Sequence, residues 1–439
     1  MNIRQTFNTI RQEKLFSTIY IVGTALAITS VTMVVIYLYS QLADIAPETN
    51  RSKIYYMGCV SVTKESKNGS SSMPLALYSP EALENIFFKL KNTELISVAL
   101  TRQSNTMVSA PTHQEEHSAR AQYTDTNFFR LYQFRFMDGR PFTQEELDGG
   151  EHVAVITAQI ARKLLGRTTD VVGETIFLRA QPYRICGVME DVSPVCRNAF
   201  AHLYLPYKAN ENWEYVMDWM NSYVGRFEVT LLPKEGKEDA MKDEIREAFE
   251  RLNTFLAQDD KVKVTFDIKD APYNRYEWLT HKYGDDGSTT ATRNMTRKYL
   301  MIFFALLFVP ALNLSGMVGS RMLDNAHETA VRRAFGASRI RLMGEVIYNN
   351  LSLTLCGGIL GIILSWFIVF TRFGYFLSMM HICDTGDFNP VLNHHVLFAP
   401  SIFLATFLFC ALLNLVAALI PVWWNLRRPI VESLSNNEQ

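Results

Sequence analysis

Arg321, Arg332, Arg333, Arg339 and Arg341 crowd into one interval, RMLDNAHETAVRRAFGASRIRLMGE (Arg321–Glu345), which contains no lysine. Such a cluster suits either anchoring to lipid headgroups or docking of a cytoplasmic partner. Five arginines alternating with Ala and Gly in a helix-sized interval favour docking. Glu328, Arg332 and Arg333 stand one helical turn apart, and Gly336 is a natural stop. Little else in the chain invites chemistry. The six cysteines include no pair at metal spacing. Cys186 and Cys196 would bridge only if an oxidising compartment and the geometry both allowed it; two free thiols are the plainer expectation. His381, His394 and His395 suggest a metal cluster but lack ligand spacing, so solvated histidines are expected. Asp285 and Asp286 beside Gly284 and Gly287 lack the ligand ladder of a calcium loop. There is no GxxxxGK[ST], GxSxG, HExxH or GxGxxG pattern, so no catalytic, cofactor or metal site is expected.

The elements that must position the arginines are apolar. Four runs are free of charge: Leu15–Ala43, Tyr299–Ser320, Val346–Thr371 and Val396–Leu426. A spanning helix needs roughly 20 apolar residues, so four transmembrane helices are expected, over 15–43, 299–320, 346–371 and 396–426. None of the runs carries a carboxylate, which argues against a proton or ion pathway. Asn313 and Asn414 are read as hydrogen-bonding between helices. The first run is too long for a signal peptide and no small-x-small site follows it, so it reads as a retained anchor. Positive loops stay inside, which places the 321–345 loop, the 1–14 amphipathic segment and the 427–439 tail in the cytoplasm. The short 372–395 loop and the long 44–297 segment then lie outside.

The 44–297 segment reads as an α+β domain of two lobes. Strands are expected over Arg51–Val62 and Leu95–Leu100 with a helix Pro80–Leu90 between them. The pattern returns as a strand at Phe227–Leu231, a helix Glu238–Phe255 and a strand at Val262–Ile268. One lobe would therefore combine about 50–110 with 222–270, and a β-rich insert would fill about 120–210. The net charge of −1 gives no argument for nucleic acid.

The loop segment His327–Ser338, HETAVRRAFGAS, resembles the E-I-x-x-R-x-A-x-G-A signature of MacB/FtsX-type ABC transporter permeases. Asn313–Arg321 before it, the C-terminal Pro421–Leu434, and NFFRLYQFRFMDGRPF, HVAVITAQIARKLLG, VVGETI and YRICGVMED resemble the same family in the same order. Thr329 stands where the family has a hydrophobic residue, and Asn425 and Ser433 stand where it has alanines. The resemblance implies a bacterial inner-membrane permease with a periplasmic core domain and no ATPase domain fused to it. A separate cytoplasmic ATPase would bind ATP and dock on a coupling helix including Glu328, Arg332, Arg333, Gly336, Ala337 and Arg339. Its closure would move the spans and reshape the outer lobes, a mechanotransmission that exports or extracts a substrate. Four spans are few for a transporter, so a homodimer or a heterodimer with a related permease is expected. A periplasmic adaptor, an outer-membrane channel and membrane lipid are further expected partners. The competing expectation is an FtsX-like regulator whose outer domain controls a cell-wall hydrolase.

Overall fold

The computed structural model describes residues 14–66, 69–101, 105–111, 113–258, 262–281, 292–305, 308, 331, 335, 338–379, 386–389 and 400–427. The chain packs into two units. Met1–Tyr39, Arg297–Phe373 and His394–Gln439 form a helical unit; Ser40–Thr296 with Gly374–Asn393 form an α+β unit. The first helix, α1 (Lys14–Leu42), is uninterrupted, and its residues from Ser40 onward belong to the α+β unit.

The α+β unit opens with β1 (Tyr55–Tyr56), β2 (Val60–Ser66), β3 (Gly69–Tyr78), α2 (Pro80–Asn85) and β4 (Thr93–Leu100). It continues with β5 (Asn105–Ala110), β6 (His113–Thr124), α3 (Asn127–Leu131), β7 (Phe136–Gly139), α4 (Gln144–Asp148), β8 (Val153–Thr157) and α5 (Ala158–Leu165). Then follow β9 (Thr175–Leu178), β10 (Gln181–Met189), β11 (Leu203–Pro206), β12 (Val224–Gly225), β13 (Phe227–Pro233), α6 (Glu238–Leu256), β14 (Val262–Asp267) and α7 (Arg275–His281).

The first lobe is an antiparallel sheet in the order β14-β2-β3-β13-β4. Met241, Ile245, Phe249 and Leu252, at helical spacing, turn the apolar stripe of α6 onto it. Phe87, Tyr78 and Phe249 meet edge to face there, with Tyr78 and Phe87 4.8 Å apart. Each fully buried side chain of this size contributes roughly 1.5–3 kcal/mol. Helix α2 starts where Ser79 Oγ accepts the Ala82 N–H at 3.2 Å and Pro80 supplies a preset φ. The strand expected over Arg51–Val62 divides in two: Arg51–Lys53 form a turn, and Gly58, at φ +63°, lies in the break between β1, which pairs with β13, and β2, which pairs with β3 and β14.

The second lobe closes on itself. Its strands run β11-β8-β10-β9-β5-β6, and β6 returns to β11 in parallel register from Ala121↔Leu203 to Thr124↔Pro206. The closed ring leaves none of these strands as an open edge. Its core joins Ile156, Val188 and Leu203 to Ile160 and Leu164 of α5. The lobes are stitched by one pairing, Ala99↔Thr124 between β4 and β6, and Tyr123 packs against both cores. Cys186 and Cys196 are buried and free: the first thiol donates to Ala154 O, the second to Ala46 O.

In the helical unit, α8 (Arg339–Met379) and α9 (Pro400–Arg427) join α1, and residues 297–305 are also helical. Among the described residues, two helical stretches are long and apolar enough to cross a membrane, Ser17–Leu42 and Asn350–Val369; Phe403–Ala417 is a shorter apolar stretch. Most of the 299–320 run lies outside the described residues. Helix α8 is longer than its apolar run because Ser338 Oγ accepts the Arg341 N–H and starts the helix before the membrane-length segment. Glycines bring α1 and α8 close: a Cβ on Gly361 would sit 2.8 Å from Ala25 O, and Thr29 Oγ1 bonds Gly361 O at 3.1 Å.

Candidate functional site

Of the residues expected to dock a partner, Glu328, Arg332, Arg333, Gly336 and Ala337 lie outside the described residues, as do Asp285, Asp286, His381, His394 and His395. Arg339 is the first residue of α8. In the same loop residues 331, 335 and 338–345 are described; the Phe335 N–H bonds Val331 O at 3.1 Å, and Phe335 is 90% exposed. An aromatic amid arginines was visible in the sequence, but its exposure was not.

A charged knot lies where α1 ends. Arg51 is 0% exposed and commits four of its five guanidinium N–H donors. Its Nε donates to Glu48 Oε2 at 2.5 Å, its Nη1 to Ser40 O at 2.8 Å and Ala43 O at 2.9 Å, and its Nη2 to Val195 O at 3.1 Å. The other Glu48 oxygen accepts the Asn198 and Ala199 N–H groups, both at 2.9 Å. Arg275, the first residue of α7, donates from Nε to Gln41 O at 2.8 Å. Two arginines thus hold the carbonyls that a helix end leaves unpaired, where its dipole is negative. Burial alone would raise the Glu48 carboxyl; the Arg51 and Arg275 charges and the hydrogen bonds from Ala199 and Arg51 outweigh it and hold the group below the usual range. The segment before β1 and the helix after β14 therefore meet at one point. An arginine at the start of an expected strand gave no sign of this, since arginines are almost never fully buried unless paired.

Two clefts flank the β4–β6 stitch. One, of about 560 Å³, is lined by Tyr123, His152, Arg179, Tyr183 and Arg226. His152 and Tyr183 stack there at 4.7 Å. The other, of about 340 Å³, is lined by Tyr56, Gln122, Asn198, Glu228 and Trp278. Both mix aromatic faces with hydrogen-bonding groups, and in the second the Thr101 hydroxyl donates to Glu228 Oε1 at 2.9 Å. Among the described residues no group of His, Cys, Asp and Glu is placed to hold a metal ion.

Residues 17–248 match the family model of the MacB-like periplasmic core domain, and residues 300–430 match that of the FtsX-like permease C-terminal domain. The chain belongs to the MacB/FtsX permease family. That makes it an ABC-transporter membrane permease with a periplasmic α+β domain. The MacB/FtsX chain is 27% identical, over 260 residues, to the macrolide export ATP-binding/permease protein MacB of Escherichia coli (strain K12), covering 58% of this chain and 36% of that one. It thus spans about a third of the length of the curated relatives it matches. Solved structures similar to it include the periplasmic region of MacB from Actinobacillus actinomycetemcomitans (13% identity, TM-score 0.32, 47% of this chain and 88% of that one). Another is the extracellular domain of the ABC-type transporter YknZ from Gram-positive bacteria (14% identity, TM-score 0.30, 47% and 99%).

Within this MacB/FtsX chain, the buried arginine knot and the two clefts are the features that sequence reasoning missed. The knot depends on Val195, Asn198 and Ala199, about 150 positions from Glu48 along the chain. No local pattern encodes such a contact.

Proposed function

We propose that this chain is a mechanotransmitting permease subunit that exports or extracts a substrate from the periplasmic side. A separate cytoplasmic ATPase binds the ATP and docks on the 321–345 loop through Glu328, Arg332, Arg333, Gly336, Ala337 and Arg339. Phe335, beside them, adds an apolar anchor. Four spans per chain and a second permease, identical or related, complete the membrane part. ATP-driven closure moves the spans, and the movement reaches the two lobes through α1. A periplasmic adaptor and an outer-membrane channel would carry the substrate onward.

The observation that carries this reading is the knot. Arg51 and Arg275 grip the carbonyls of Ser40 and Gln41, the residues by which α1 enters the α+β unit, and this grip supports α1 as the route of transmission. Between the lobes, the Ala99↔Thr124 pairing is joined by hydrogen bonds from Thr124 and Asp125 to Val98 O and from Asn127 to Ile96 O, so movement of one lobe reaches the other. The experiment attacks the input end. The full chain is co-expressed with its cognate ATPase, and the complex is captured through a tag on the permease. Arg332→Glu combined with Arg333→Glu should abolish co-purification while the permease still folds. Undiminished recovery of the ATPase with the double variant removes the docking role.

A further inference from the structure

Residues 386–389 lie between α8 and α9 in the chain, yet they pack into the second lobe. Phe388 is 5% exposed and belongs to the core shared by Val108, Ala119 and Leu203. Its ring lies 4.8 Å from the His202 ring and 6.5 Å from that of His117, and the Lys163 ammonium stands 4.9 Å from its centroid. The flanking backbone is fastened as well. The Asp387 N–H donates to Ser118 O at 2.9 Å, and Asp387 Oδ2 accepts the Ser118 N–H at 2.7 Å. Lys163 Nζ donates to Asp387 O at 3.1 Å, and Gln159 Nε2 donates to Asn389 O at 3.0 Å. Gly386 makes the approach feasible: its φ is +58°, and a Cβ there would lie 2.2 Å from Ser118 O.

We propose that Phe388 is the plug of a latch that ties the α8–α9 connection to the closed-ring lobe. Phe388 and Asp387 are then positioning residues: they touch no substrate, and they set where that lobe stands when the connection moves. The segment's size and its fastening do not match. From four residues, well over a hundred positions away in sequence, Phe388 fills a ring-lobe socket and Asp387 takes both polar backbone groups of Ser118. A solvent-facing loop of ordinary chemistry has no need of this. The ring lobe thereby holds part of the α8–α9 connection directly. This role rests on the reading of an ATP-driven permease only where motion is concerned; the latch itself does not.

The test uses the full-length protein in nanodiscs, with amide hydrogen exchange as readout. Phe388→Ala should speed exchange of the Ser118 amide and its β6 neighbours by tenfold or more, leaving β8 and β10 protected. Gly386→Ala, which crowds the seat without emptying the core, should do the same. Unchanged exchange at Ser118 in both variants overturns the latch. Loss of protection across the whole ring lobe in both also overturns it, by making Phe388 an ordinary core residue. With the cognate ATPase bound, adding nucleotide should alter ring-lobe exchange in the parent protein and not in Phe388→Ala, although the ATPase still binds. A nucleotide response that survives Phe388→Ala overturns the coupling. Failure of the ATPase to bind the parent protein sinks the permease reading and leaves the exchange result at Ser118 to decide the latch.

Discussion

Two segments of the α+β unit, Ser40–Ala43 and residues 386–389, are held in it by opposite physics. At the knot, Glu48, Arg51 and Arg275 hold the end of α1 with buried charges, and every bond runs from an N–H to an oxygen. At the latch, the main contact is the Phe388 ring among apolar side chains, with hydrogen bonds confined to its rim. Charge fixes direction and distance, because a guanidinium must meet its acceptors in its own plane. A ring in a socket resists separation yet tolerates sliding and rotation, because the hydrophobic effect is non-directional. On the reading proposed above, the knot would pass on a displacement and the latch would restrain a lobe that has to move.

The comparison breaks most readily at the knot. Arg51→Ala strands the Glu48 carboxylate with only part of its partners. Removing one member of a buried pair costs about 3–5 kcal/mol, so the melting temperature of the full-length protein should fall by several degrees or more. Arg51→Lys should recover little, since an ammonium cannot reach Glu48, two carbonyls on α1 and Val195 O together. A loss below 1 kcal/mol for Arg51→Ala would show that the charges are decorative.

Acid should distinguish the two fastenings next. Burial, with the nearby Arg120 charge, pushes the His202 imidazole beside Phe388 down to about 4, and its Nδ1 accepts the Arg120 N–H at 3.0 Å. His117, Lys163 and Asp387 also face this seat. A depressed histidine gives stability that is complete above its ordinary value of 6.5 and is lost as pH falls toward 4, because the unfolded chain takes up the proton first. The full effect is on the order of 3 kcal/mol. Glu48, also depressed, begins to lose stability only below 4.5. Between pH 6.5 and 5 the ring lobe should therefore loosen, read as faster exchange at Ser118, while amides around Asn198 and Ala199 stay protected. His202→Gln should flatten the response; a knot that loosens first reverses the assignment.

The smallest effect sharpens the role of burial. Arg246 and Asp243 on α6 form a 2.7 Å pair with side chains 60% and 66% exposed. Arg246→Ala should change stability by no more than about 0.5 kcal/mol, measured by the same melting experiment. A cost near that of Arg51→Ala would mean that charge alone, and not its enclosure, stabilises the knot.

The contrast also marks what a sequence can and cannot disclose. Periodicity made α6 legible through Ile245, Phe249 and Leu252, and charge-free runs announced α1 and α8. The 321–345 interval stood out because its arginines are neighbours in sequence. Arg51 looked like the polar start of a strand, and Phe388 like part of a plain outer loop. Each acquires its meaning from residues more than a hundred positions away. Closure of the ring by β6 and β11 is equally non-local, since the paired residues Ala121 and Leu203 belong to separate stretches of similar texture. Local pattern specifies elements; long-range geometry specifies what they hold.

Cys186 and Cys196 carry a practical consequence. Burial first, and for Cys196 the Glu48 charge next, pushes each thiol up to about 12. At neutral pH both sulfurs then stay protonated and unreactive. Reporter dyes introduced on engineered thiols in the ring lobe would meet little background from these two, so the exposed Cys59 and Cys383, whose position falls outside the described residues, are the cysteines of the α+β unit to replace for single-molecule work.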